Sequence, residues 1–376
     1  MTQSDVVIAG GGLIGVAVAW RAALRGLTVQ LVDDAPGSGA SYAAAGMLAP
    51  VSEASYGEER LLALARASLA TYPGFVAELE EASGMSVGLR THGTLLVGFD
   101  EDDMRVVADL HAFHGELGLS AERLTASACR RVEPSLTTRL RGGLHVPGDH
   151  SVDARSLHAA LLTAARRAGA EFVPARAASL LVEHGRAVGL RLPDGGTVCG
   201  GSVVLALGAW SGVLPGVPAG AVPVRPVKGQ ILRLRGDQLL AGTVRGVVRG
   251  RSIYLVPYGP DGLIVGASVE EQGYDGRVTV GTVHELLRDA LELVPGLTEH
   301  ELVETLARWR PGTPDNAPLI GSSSLPGLLL ATGHYRNGVL LTPVTADAVA
   351  ELLVTGVQPE VVAEVAPYRF HTEVLR

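Results

Sequence analysis

Asp5-Val-Val-Ile-Ala-Gly10-Gly-Gly12-Leu-Ile-Gly15 carries the chain from an apolar strand straight into a Gly-x-Gly-x-x-Gly turn. Eighteen residues past Gly15, a second apolar run with Val29, Leu31 and Val32 ends in Asp33. Strand, glycine turn, helix, strand and acid form the unit that seats the pyrophosphate of an adenine dinucleotide. Gly10 makes the tight turn, Gly12 lets backbone approach the phosphates, and Gly15 lets the helix lie against the strand. The helix N-terminus offers N–H groups and positive partial charge, and Asp33 is placed for a ribose hydroxyl. A glycine-rich turn can also serve packing alone. Val16, Ala17, Ala19, Ala22, Ala23 and Leu24 form an apolar helix surface that Gly26 stops, and this context favours the ligand reading.

The 376 residues allow two domains, and a hydrophobic fraction of 47% can fill a large core. Net charge is −8, and the 31 basic residues form no run interleaved with aromatics, which argues against nucleic acid. The 48 glycines follow no repeat. Cys129 and Cys199 are the two cysteines, without a Cys-x-x-Cys or a histidine cluster, so neither a disulfide framework nor a metal site is expected. The N-terminal Met1-Thr-Gln-Ser lacks the basic start of a signal peptide. Residues 200–224 are uncharged, but Pro215, Pro218 and Pro223 break the stretch, so no membrane span is expected and the anticipated location is the cytoplasm.

Small residues dominate from Gly37 to Pro50, where backbone can lie against a flat ligand and Ser41 can donate a hydrogen bond. Periodicity predicts helices over about 58–82, 101–118, 153–169 (with Asp153 as N-cap) and 281–294. Strands are expected at Thr91–Phe99, Gly142–Val146, Glu171–Pro174, Ala178–Val182 and Ala187–Leu192. Others are expected at Val227–Leu234, Leu302–Arg310 and, as a hairpin, Ser252–Pro257 with Leu263–Ala267. Two apolar strands, one from Ser202 ending in Ala206-Leu-Gly208 and one at Leu328–Thr332, look like returns to the cofactor. A long helix, opened by Gly338, runs through Leu353.

These segments together resemble the FAD-dependent D-amino-acid oxidase and sarcosine oxidase superfamily, in its branch of glycine oxidases of thiamine biosynthesis. The carrying stretches are Gly10–Gly15 with Asp33, Ala43–Leu48, Pro226-Val-Lys-Gly-Gln230 and Tyr254-Leu-Val-Pro257. Arg310-Pro-Gly-Thr313 and Gly333-His-Tyr-Arg-Asn-Gly338 complete the set. The resemblance implies an α/β fold: a Rossmann-like FAD-binding domain (1–83, 144–213, 306–376) with a discontinuous α+β substrate domain (84–143, 214–305) on a mostly antiparallel sheet. It also implies non-covalent FAD, oxygen as acceptor, no membrane partner and a homo-oligomer, with a tetramer suggested. By position, Leu13, Ile14, Asp33, Asp34, Ala40, Ser41, Ala45, Gly46, Met47 and Ala178 should meet FAD with the glycines. His334, Tyr335, Arg336, Asn337, Gly338, Val339 and Leu340 belong with them. Departures from the family pattern fall on the substrate side, at Ser252, Val269 and Leu306-Ala-Arg-Trp309.

The implied chemistry is hydride transfer from Cα of glycine, sarcosine or a small D-amino acid to flavin N5. It yields an imine or 2-oxo acid, ammonia and hydrogen peroxide, the glycine imine feeding thiazole synthesis. Arg310 is the expected carboxylate anchor, because a carboxylate leaving water needs a planar bidentate partner. The alternative for Arg310 is an ion pair with Asp315. Tyr254 and Arg336 join it as catalytic and substrate-binding residues, and Met47 as a pocket wall. A core tyrosine, an exposed loop arginine and a core-filling methionine are the respective alternatives. His334 reads as a packing residue and Lys228 as a strand-edge charge. Two further readings keep the fold: a dehydrogenase passing electrons to a quinone or carrier, and a non-catalytic FAD-binding sensor.

Overall fold

Val6, Val7, Ile8 and Ala9 are all buried, as a parallel strand covered on both faces requires. The computed structural model describes residues 4–370. Strand Ser4–Ala9 lies parallel to Thr197–Leu205 on one side and Val29–Val32 on the other. Glu171–Val173 extends the sheet beyond Val29–Val32, and Leu328–Thr332 followed by antiparallel Leu319–Ser322 extends it beyond Thr197–Leu205. The antiparallel strands Ser179–Glu183 and Arg186–Arg191 branch from Thr197–Leu205.

Alternation along the first strand decides what each face buries. Val6 and Ile8 join a core with helices Leu13–Leu24, Glu59–Ser83, Ala154–Arg167 and Thr342–Thr355, where Trp20 and Tyr72 are the largest buried side chains. Val7 and Ala9 point the other way, toward Leu180, Leu190 and Leu214.

A second eight-stranded sheet runs in the order Glu301–Gly312, Arg225–Arg235, Gly262–Gly266, Arg251–Tyr258, Thr243–Val248, Thr94–Gly98, Gly142–Val146, Glu122–Thr125. Its pairs are antiparallel except Thr243–Val248 beside Thr94–Gly98. Helix Val280–Leu293 covers one face through Leu286, Ala290 and Leu293. Ile231, Val256, Ile264 and Leu306 on the other face form a small cluster with Ala45, Tyr42 and Met47.

The expected helices lie within two residues of their observed bounds, and Asp153 caps its helix by accepting from the N–H groups of Arg155 and Ser156. The last helix is corrected: it begins at Thr342, with residues 338–341 in a turn, because Pro343 fits a first helical turn and the Thr342 hydroxyl closes onto the Gly338 carbonyl. The domain boundaries expected at 144 and 306 fall inside the strands Gly142–Val146 and Glu301–Gly312, both in the second sheet. Of the expected domain ends, 1–3 and 371–376 lie outside the described residues. Among the described residues, no helix is long and apolar enough to cross a membrane and no cluster of metal-ligating side chains occurs.

Candidate active site

The glycine turn is built by close approach. Gly10 sits at φ +106°, and a Cβ there would overlap the Ala206 carbonyl; one on Gly15 would overlap the Gly10 carbonyl. The helix Leu13–Leu24 starts at Gly12 with no side-chain cap from that residue and no acid in its first turn, leaving a positive end open to an anion. Ser41 comes in from the small-residue segment and accepts the Leu13 N–H at 3.1 Å, so its hydroxyl hydrogen stays available to a ligand. Both Asp33 oxygens are engaged: Oδ2 accepts from Gly11 N–H at 2.6 Å and Oδ1 from Ala35 N–H at 2.7 Å. Asp33 therefore fixes the turn itself, a task beyond the expected ribose contact.

His158 completes this shell from below, a role the sequence reading missed. Its Nε2 donates to the Gly11 carbonyl at 2.8 Å, and burial lowers its pKa and favours the neutral ring.

From the glycine turn a cavity of about 1320 Å³ runs between the two sheets to Arg310. Gly10, Gly12, Leu13, Ile14, Asp33, Asp34, Ala40, Ser41, Ala45, Gly46, Met47 and Ala178 line it, as do His334, Tyr335, Arg336, Gly338 and Val339. Three expected cofactor residues do not. Gly15 acts through helix packing, Asn337 is buried in the turn, and Leu340 belongs to the helical core, its carbonyl taken by the Ser68 hydroxyl. His334 is buried against the Thr345 hydroxyl at 3.0 Å and kept neutral by burial, which lowers its pKa to about 3, so it is no proton acceptor at neutral pH.

At the far end, Arg310, Tyr254, Arg336 and Met47 all reach this cavity. Arg310 lies over Gly229, where a Cβ would strike the guanidinium, and donates from Nη1 to the Ser268 carbonyl at 3.0 Å. Asp315 is not its partner; Asp315 pairs with Arg369 at 2.8 Å. Among the described residues no carboxylate stands within ion-pair distance of Arg310. Arg336 differs: Glu58 holds it at 2.8 Å, and Asn316 donates to the same carboxylate. Of the arginines lining the cavity, Arg310, Arg308 and Arg176 have no carboxylate partner among the described residues, and Arg310 is the one beside the Tyr254 hydroxyl. Burial raises the Tyr254 phenol, opposed by the Arg310 charge, so the hydroxyl stays protonated and can donate.

Arg310 is aimed by a buried knot on the opposite face of its strand. Lys228, fully buried, pairs with Glu270 at 3.2 Å. Glu270 Oε1 accepts from Gln230 and from the Ser268 hydroxyl, at 2.7 and 2.5 Å. Ser268 is the residue whose carbonyl holds Arg310. The strand-edge reading of Lys228 is thereby corrected: its ammonium turns inward. Other residues missed in the sequence join the two sheets. Trp210 stacks on Tyr274 at 5.7 Å and meets Trp309 edge-on at 5.4 Å, while Arg308 donates to the Ser38 carbonyl at 2.8 Å. The departures at Arg308 and Trp309 were the available signal, since each puts a large side chain next to Arg310 on the strand Glu301–Gly312, on alternate faces.

A family model described as FAD dependent oxidoreductase matches residues 5–352. The chain belongs to that family. A glycine oxidase of Geobacillus kaustophilus is 35% identical over 360 residues, covering 93% of this chain and 92% of that protein. A bifunctional protein ThiO/ThiG of Nostoc sp. is 35% identical over 352 residues, but the chain spans about half of it, 52%. The solved structure of glycine oxidase from Geobacillus kaustophilus superposes with a TM-score of 0.90 at 34% identity, covering 98% of this chain and 99% of that one. For a member of this FAD-dependent family the fit is direct: a glycine cradle without Cβ atoms, a helix start with no acid in its first turn and no cap from Gly12, and a cavity long enough to join them to Arg310.

Proposed function

We propose that the chain oxidises glycine and other small amino acids, among them sarcosine and small D-amino acids. The carrying observation is Arg310, a guanidinium without a carboxylate partner among the described residues, facing the cavity that begins at the glycine turn. Likeness to proteins named glycine oxidase supports the same substrate class.

In this reading Arg310 takes the substrate carboxylate in a bidentate grip, and the Tyr254 hydroxyl donates to the same group. Arg336, neutralised by Glu58, closes the opposite wall, and Met47 sets the space beside Cα. The protein's contribution is placement: fixing the carboxylate fixes the direction of the Cα–H bond. Bound FAD would supply the two-electron acceptor that oxygen regenerates. The glycine turn, Ser41, Ala45–Met47, Ala178 and the His334–Val339 turn would hold it. Delivery of the imine to thiazole synthesis, location in the cytoplasm and assembly as a homo-oligomer belong to the same proposal.

The test is anaerobic mixing of the yellow holoprotein with glycine, sarcosine and D-alanine. Bleaching of the flavin, followed in air by one peroxide per substrate, is expected. A flavin that none of them reduces would rule the reading out, and reduction without peroxide would move the protein to the dehydrogenase class.

A further inference from the structure

Glu53 reaches the substrate cavity with one loose ion-pair partner, Arg245, and no hydrogen-bond donor on its carboxylate among the described residues. Its backbone is held firmly: the buried Asp149 carboxylate accepts from Val51 and Ser52 N–H at 3.2 and 3.1 Å, and Glu53 N–H bonds the Ala49 carbonyl at 3.1 Å. The side chain is only 12% exposed and lines the cavity that Tyr254 and Arg310 also line. Its closest cation, Arg245 Nη1, stands 3.7 Å away, too far for a hydrogen bond, and that nitrogen is already given to the Ser52 carbonyl. Among the described residues, no donor lies within hydrogen-bond distance of the Glu53 carboxylate. A carboxylate mostly withdrawn from water and lacking donors is costly to keep, unless a ligand brings the donors.

An amino acid brings three on one ammonium group, and its other charged end already has Arg310. Burial raises the Tyr254 phenol, Arg310 opposes the rise and Glu53 adds to it, which places Glu53 in the same electrostatic neighbourhood as the carboxylate anchor.

We propose that Glu53 is the receptor for the substrate's ammonium group, so that the cavity reads a zwitterion from both ends and selects α-amino acids over acids lacking an amine. This rests on the amino-acid oxidase reading above. It adds a residue the sequence left unassigned and a reason for discriminating against 2-hydroxy acids, whose hydroxyl can offer the carboxylate one hydrogen bond and no charge.

The experiment uses holoenzyme and two probes, glycine and acetate, which share a carboxylate and differ in the amine. Binding of each is followed by perturbation of the flavin absorbance, and glycine half-saturation by anaerobic reduction. Glu53→Gln should weaken glycine by about tenfold or more while acetate stays within about twofold, because only glycine loses a charge-assisted bond. Glu53→Asp, which keeps the charge, should fall between, and the FAD content of both variants should match the parent. Equal weakening of glycine and acetate, or an unchanged glycine affinity, would overturn the proposal. Reduction of the parent flavin by glycine tests the activity separately, since the glycine-to-acetate ratio is read from binding whether or not reduction follows.

Discussion

At the scale of single residues, charge balance separates groups that look alike in sequence. Arg310 and Arg336 both sit in segments that resemble the oxidase family, yet Glu58 compensates one and no described carboxylate compensates the other. Removing the uncompensated one should therefore matter more for an anionic substrate. Arg310→Met is expected to lower kcat/KM for glycine by roughly 10²–10³-fold, the cost of a carboxylate left without its partner in a water-poor site. Arg310→Lys should recover only part, since a point charge cannot reproduce the planar two-pronged contact. Tyr254→Phe loses one neutral donor, about 1 kcal/mol, and should lower kcat/KM by about fivefold. Steady-state kinetics on the three variants, with flavin content as the control, check the ordering. A larger loss for Tyr254→Phe than for Arg310→Met would contradict it. The sequence could nominate these residues but not rank them, because the ranking depends on Glu58 and Asp315, brought in by segments far from the motifs.

At the scale of elements, the strand Glu301–Gly312 presents Arg310 on one face while its partner strand buries Lys228 on the other, and segment 268–270 ties the two faces together. Lys228→Met would leave Glu270 without its cation, destabilising the fold by about 3 kcal/mol and loosening the Ser268 carbonyl that holds Arg310. The expected result is a KM for glycine raised about tenfold, from partial loss of that positioning, with FAD affinity unchanged. Pairing it with Glu270→Gln should restore most of the thermal stability, since neutral partners remove the unpaired charge. If FAD affinity falls in step with glycine affinity, the knot is merely structural. Strong periodicity made the helices legible: Ala154–Arg167 and Val280–Leu293 each carry an apolar stripe. Strands without alternation were not. Thr243–Val248 is interrupted by Arg245 and Gly246, and Glu122–Thr125 is largely exposed. What hid Glu53 and Arg245 was this kind of silence, for neither lies in a motif: the pairing of Thr243–Val248 with its neighbours brings Arg245 to the cavity, and the Asp149 grip on Val51 and Ser52 brings Glu53.

At the scale of the whole molecule, the cavity is the joint between two sheets that each have their own core. Contacts across it include the Trp210, Tyr274 and Trp309 cluster, the apolar group of Tyr42, Ala45 and Met47 with Ile231 and Leu306, Arg308 on Ser38, and Arg155 paired with Glu304 at 2.7 Å. A ligand filling the joint should then stabilise the whole chain through mass action, because the site exists only when both sheets are in place. At a hundredfold excess of free ligand over Kd the gain is about 2.7 kcal/mol. For a chain of this size that is a rise in melting temperature of roughly 3–4 °C. The glycine turn and the Leu13–Leu24 helix end are shaped for a pyrophosphate, so FAD should produce the rise. FMN, lacking the adenylate half, should need a concentration at least about tenfold higher for the same shift, as one phosphate contact set is lost. Thermal melts of flavin-stripped protein against a titration of each nucleotide measure this. A melting point that FMN and FAD raise equally at equal concentration would mean that the glycine turn contributes nothing to cofactor capture, and Gly10, Gly15 and Asp33 would be left with a packing role alone.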